Sequence, residues 1–142
     1  MESKTMETKA KLPIVDENSV EALDLPGRRL SWMVTKDTSR ENTVDAQHCS
    51  MCMIKVAPGQ TVKPAHSHPN GEEVIYIVTG SGRVWIEGKV EPVKAGSAVL
   101  FPQGQVHMLQ NNGTEEMKVV CFFAPATDLA NYKFFEGIEF PA

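Results

Sequence analysis

Between residues 28 and 124 the apolar residues come in short runs, each cut off by turn-forming residues. The runs at 29–35, 47–56, 73–78, 83–87, 98–101, 107–110 and 118–123 are rich in Val, Ile, Met and aromatic side chains and predict strands. Ala57-Pro58-Gly59, Pro69-Asn70-Gly71, Glu87-Gly88, Ala95-Gly96, Pro102-Gln103-Gly104 and Asn112-Gly113 supply the turns between them. Turn signals about 8–12 residues apart mark an all-β sandwich or barrel. No window of this region carries a helical period. Upstream, residues 1–12 are polar and read as part of a partly disordered N-terminal arm spanning 1–27. Within that arm, Val20, Ala22 and Leu23 suggest one short helical face, closed by a turn at Pro26-Gly27. Residues 125–142 carry Tyr132, Phe134, Phe135 and Phe140, and this aromatic tail is expected to pack over the barrel or onto a partner subunit.

Composition narrows the function classes. The chain has 142 residues, 42% hydrophobic and 23% charged, which suits a single globular domain. A net charge of -4 argues against nucleic-acid binding, which depends on neutralising phosphates. No apolar run approaches the roughly 20 residues of a membrane helix, and the first residues lack the hydrophobic stretch of a signal peptide. The odd count of 3 cysteines fits a reducing, cytoplasmic setting better than a disulfide framework.

The chemistry lies in the histidines. His66 and His68 are two apart, so in an extended segment both imidazoles share a face. In the strand that follows, Glu73 shares its face with Ile75 and Ile77, and a carboxylate among buried isoleucines needs a compensating charge. A divalent metal held by His66 and His68 would supply it. Further on, a strand enters the turn at Pro102-Gln103-Gly104 and returns through His107, which shares a face with Leu109 and Asn111.

These residues make the chain resemble a cupin. The first cupin motif is matched by Gly59, His66, His68, Glu73 and Gly80, with one extra residue between Gly59 and His66. The second is matched at every spacing by Gly96, Pro102, Gly104, His107 and Asn111. The resemblance implies a double-stranded β-helix, two facing antiparallel sheets forming a small jelly-roll barrel. It also implies that His66, His68, Glu73 and His107 converge on one metal ion. Three imidazoles and a carboxylate suit Fe, Mn, Ni, Co or Zn and leave a position open for water or substrate. Glu73 could have a dual role, releasing the metal to move a proton. Glu72 is set aside because alternation turns it to the opposite face. The motif glycines and Pro102 read as fold determinants, and Asn111 as a backbone tie.

Other candidates are weaker in pattern. Cys49 and Cys52 have the spacing of redox and zinc sites, but residues three apart on a strand face opposite ways. If Ile54 and Val56 face inward, alternation turns Ser50, Cys52 and His48 inward too. His48, Cys52, Tyr76 and Phe101 are therefore candidate cavity-lining residues. The expected function is a small metalloenzyme of dioxygenase, isomerase or lyase type acting on a small polar molecule. The alternative is a non-catalytic module that binds a small ligand or metal. A homodimer is expected, because the aromatic tail needs cover.

Overall fold

Residues 12–142 are described by a computed structural model; residues 1–11 of the expected N-terminal arm lie outside them. The described residues form twelve strands in two sheets. The first contains β1 (Leu23–Leu25), β2 (Arg28–Thr35), β3 (Val44–Asp45), β4 (Ser50–Val56), β6 (Glu72–Thr79), β9 (Ala98–Phe101) and β11 (Met117–Ala124). Its order is β1-β2-β4-β11-β6-β9, with β3 pairing β2 in parallel. The second contains β5 (Ala65–Ser67), β7 (Ser81–Ile86), β8 (Lys89–Lys94), β10 (His107–Gln110) and β12 (Lys133–Phe135), in the order β12-β5-β10-β7-β8. Each sheet keeps two ends, so the architecture is a two-sheet all-β fold, and neither sheet closes on itself into a barrel.

Strand alternation builds the core. On β4, Ser50, Cys52, Ile54 and Val56 are buried while Lys55 is exposed. On β6, Glu73, Ile75 and Ile77 are buried, and Glu72, Val74, Tyr76 and Val78 face out. Leu30, Trp32, Val84, Leu109, Val119 and Phe123 complete one apolar cluster to which both sheets contribute. Burial of a Leu or Phe side chain contributes about 1.5–3 kcal/mol, so this shared cluster is what fixes one sheet upon the other.

Several segments differ from the sequence reading; β3 and β5 lie outside the expected runs, and the run expected from residue 47 begins only at Ser50. The expected helical face before Pro26 is instead a 3-10 turn, Glu17–Ser19, followed by β1. Asp16 caps the turn by accepting from the Asn18 backbone N–H at 2.7 Å. Leu23 and Leu25 then flank exposed Asp24 and pair with Leu30 and Arg28, which is a period of two. β8 was hidden by its polar composition and by Pro92. It is the last strand of its sheet, where proline is tolerated. The aromatic tail also contributes a strand, with Phe134 opposite His66.

The β1–β2 turn requires glycine at position 27. Its φ is +77°, and a Cβ there would run into the Thr61 carbonyl.

Candidate metal centre

The site is assembled by a strand pairing that the chain positions far apart in sequence. β10 lies antiparallel to β5 with His107 directly opposite His66. His68 follows β5 immediately, and Glu73 enters from the facing sheet on β6. The Pro102–Gly104 turn is anchored to this group by the Gly104 N–H, which donates to the His68 carbonyl at 3.1 Å. At the far end of β10 sits Asn111, wholly buried. Its Nδ2 donates to the carbonyls of Val56 and Glu115, each at 2.8 Å, and its Oδ1 accepts from the Gly113 N–H at 2.9 Å. Asn111 therefore ties the end of β4 to the hairpin between β10 and β11 and offers nothing to the histidines.

The four side chains are buried, and one ligating atom from each lies within 4.8 Å of the others. Glu73 Oε1 is 2.8 Å from His68 Nε2 and 3.3 Å from His107 Nε2. Burial pushes the Glu73 carboxyl up, but the adjacent His107 and His68 imidazoles outweigh it and hold the group well below the usual carboxylate range. Burial first, then repulsion from His107, keeps His66 neutral well below its ordinary value. The ring positions are fixed from behind. His66 Nδ1 lies 3.1 Å from the Pro64 carbonyl and His107 Nδ1 lies 3.0 Å from the Gln105 carbonyl. A carbonyl only accepts, so each Nδ1 carries the proton and each Nε2 keeps its lone pair.

These residues fit a metal ion. A neutral His66 and an ionised Glu73 are the protonation states that ligation needs. His107 Nε2 is buried and has no hydrogen-bond partner, an expense that an ion would remove. Donors about 2.1 Å from one ion are at most about 4.2 Å apart, so sub-ångström side-chain shifts close the set.

A cavity of about 30 Å³ adjoins the set, lined by Arg28, Leu30, Cys52, Phe101 and Tyr132 among others. That is room for about one water. Phe101 stacks on His107 with ring centroids 3.9 Å apart, and Tyr132 stacks on His66 at 5.2 Å. Of the sequence candidates, Cys52 and Phe101 line this cavity. His48 and Tyr76 do not. His48 lies in an exposed bend before β4 begins, where alternation no longer applies. Tyr76 is 49% exposed on the outer face of β6, opposite Glu73. Cys52 has Cys121 as its cross-strand neighbour, and a hydrogen bond between them, with burial, raises the Cys121 thiol well above its ordinary value. Cys49 is half-buried, and all three cysteines are free. A larger depression of about 600 Å³, lined by Trp32 and residues of the loop after β2, shares no residue with the metal set.

Sequence reasoning missed Arg28 and Tyr132. Each is remote in the chain from both motifs, and no spacing rule connects them. Their only sequence signal was position: a charged residue opening a strand, and an aromatic residue in the tail.

Residues 52–123 match the cupin domain family model, half of the chain, and the chain belongs to that family. It is 29% identical over 112 residues to the polyketide synthase CurC of Streptomyces cyaneus, covering 79% of this chain and 69% of that protein. It is 34% identical over 79 residues to the germin-like protein subfamily 2 member 2 of Arabidopsis thaliana, covering 52% of this chain but only 36% of that protein. The fold is similar to that of a predicted oxalate decarboxylase from Thermotoga maritima. That comparison has a TM-score of 0.66 and 20% identity, covering 79% of this chain and 98% of that one.

Proposed function

We propose that this cupin is a metal-dependent enzyme acting on a small polar molecule, of dioxygenase, isomerase or lyase type. The observation that carries the reading is the convergence of His66, His68, Glu73 and His107 beside a small cavity, with the His107 Nε2 unpartnered. A site with four protein donors and adjoining space keeps a coordination position for substrate, as catalytic centres do. A divalent Fe, Mn, Ni, Co or Zn ion would supply Lewis-acid polarisation of a substrate oxygen, and iron or manganese would add redox chemistry. The chain's own residues do the rest. Pro64 and Gln105 hold two imidazoles in the ligating tautomer, Phe101 fixes the His107 ring, and Tyr132 excludes water. Glu73 is the group placed to move a proton, since His68 and His107 both share its Oε1. The similarity to a predicted oxalate decarboxylase makes lyase chemistry the first to assay.

Elemental analysis of purified wild type beside His107→Ala tests the reading. About one equivalent of metal, lost in the variant, supports it, and a wild type that neither carries nor takes up metal overturns it. A binding module without turnover is the second reading, favoured by the small cavity. An exchangeable metal-bound water displaced by substrate analogues distinguishes the enzyme from the module.

We also propose a homodimer formed through the outer face of the first sheet. There, cross-strand rows Met51-Phe122-Val74-Leu100 and Met53-Val120-Tyr76-Ala98 run side by side. Leu100, Tyr76, Phe122 and Val74 are each at least 39% exposed, and such contiguous apolar patches favour self-association through a two-fold axis. A cytoplasmic location is proposed on the free state of the three thiols.

A further inference from the structure

Among the described residues, the four buried side-chain polar atoms without a hydrogen-bond partner fall into two pairs. His68 Nδ1 and His107 Nε2 belong to the metal set. Trp32 Nε1 and Arg40 Nε belong to residues that line a different space, the depression of about 600 Å³ bordered by the loop after β2. A buried N–H without an acceptor is costly, and native structures hold few of them. Trp32 is only 2% exposed. Every residue lining this depression precedes the stretch that matches the cupin family.

The depression is a built one. Glu21 comes from the segment before β1, and Asp37, Arg40, Glu41 and Asn42 come from the loop. Asn42 Nδ2 donates to the Ser19 carbonyl at 3.0 Å and clasps the two segments together. The Arg40 guanidinium carbon stands 6.0 Å from the Trp32 ring centroid. Its Nε lies 3.7 Å from Asp37 Oδ2, too far for a hydrogen bond, while Asp37 Oδ1 accepts from the Ser39 hydroxyl and N–H. The Arg40 side chain is therefore free to turn aside and admit a ligand to the indole.

The lining selects the chemistry of that ligand. Two unpaired N–H donors require an acceptor, which a bare cation lacks. Three carboxylates against one guanidinium leave an excess of negative charge, which disfavours an anion. A hydroxyl group meets both demands, because it accepts through oxygen and donates its proton to a carboxylate. The volume lies within the range of small-molecule sites, about 300–1,000 Å³. We propose that this depression is a second binding site, for a polyhydroxylated molecule of monosaccharide size that carries no negative charge. Trp32 and Arg40 donate to its oxygens, and Glu21, Asp37 and Glu41 accept from its hydroxyls. The site stands apart from the metal centre, and neither reading depends on the other.

The test is proton–nitrogen correlation NMR of the isotope-labelled full chain, titrated with D-glucose, D-glucuronate and tetramethylammonium. The chain has 2 tryptophans and so 2 indole N–H signals. Trp85, on β7 and outside the depression, is the internal control. Glucose is expected to move the Trp32 signal to saturation and leave Trp85 in place, with glucuronate bound at least about tenfold more weakly. Arg40→Met should weaken glucose about tenfold, and Glu21→Gln with Glu41→Gln, both exposed, should narrow the gap between glucose and glucuronate by about as much. Thermal midpoints confirm that each variant is folded. A Trp32 signal unmoved by glucose at about 100 mM, or one that moves no more than Trp85, overturns the site. Glucuronate bound as tightly as glucose overturns the charge argument, and tetramethylammonium bound more tightly overturns the hydroxyl assignment. Unchanged glucose affinity in folded Arg40→Met overturns the role given to Arg40.

Discussion

Replacing Asn111 with alanine separates a structural tie from a metal ligand. The side chain is fully buried and makes three hydrogen bonds, to the Val56 and Glu115 carbonyls and from the Gly113 N–H. Removing it leaves two acceptors and one donor without partners, and Val56 is itself inaccessible to water. At a net value near 1 kcal/mol per hydrogen bond, with desolvated partners left stranded, the loss comes to about 3 kcal/mol. For a domain of this size that lowers the thermal midpoint by about 10 °C. Asn111→Asp should be no better, because it keeps the acceptor for Gly113 but turns a carboxylate toward two carbonyls. Urea denaturation gives the free energy, and elemental analysis of the same samples gives the metal content. The expected result is a large stability loss with metal content held near one equivalent well below the midpoint. A stability loss under about 1 kcal/mol would refute the hydrogen-bond reasoning. Metal lost from a still-folded variant would refute the assignment of Asn111 to the backbone alone.

Three further outcomes are expected. The pKa of His66 is depressed in the folded protein, so below its ordinary value of about 6.5 the unfolded chain takes up a proton that the folded chain refuses. Metal-free protein should therefore lose stability steadily as pH falls below about 6.5, and lose more below about 4.3 as the Glu73 contribution disappears; a thermal midpoint that stays flat between about pH 7 and 5 contradicts this. Gly27→Ala should cost at least about 2 kcal/mol, since it meets both a positive φ and the Thr61 carbonyl, and denaturant titration reads it directly. Val74→Glu with Phe122→Glu should turn a dimer into a folded monomer in sedimentation, whereas wild type already monomeric at micromolar concentration removes the proposed interface.

Much of the site was readable because its residues obey short-range rules. Alternation on β6 is enough to put Glu73 with Ile75 and Ile77, and two residues of extended chain put His66 beside His68. The same alternation, applied consistently, excludes Tyr76, which shares its face with Glu72 and Val74. His48 failed for a different reason: the period of two was extended past the first residue of β4 into a bend. What lay beyond reach was pairing between distant segments. β5 is three residues long and exists because β10 and β12 flank it. Arg28 and Tyr132 enter the cavity by the same long-range route, and local sequence carries no record of it.

The four ligands, on or beside β5, β6 and β10, and the aromatic residues that pack on them, Tyr132 over His66 and Phe134 beside it, belong to separate stretches of the chain. The cover can therefore be altered at Tyr132 or Phe134 without touching a ligand, so access to the metal centre and the chemistry of its ligands are separately adjustable.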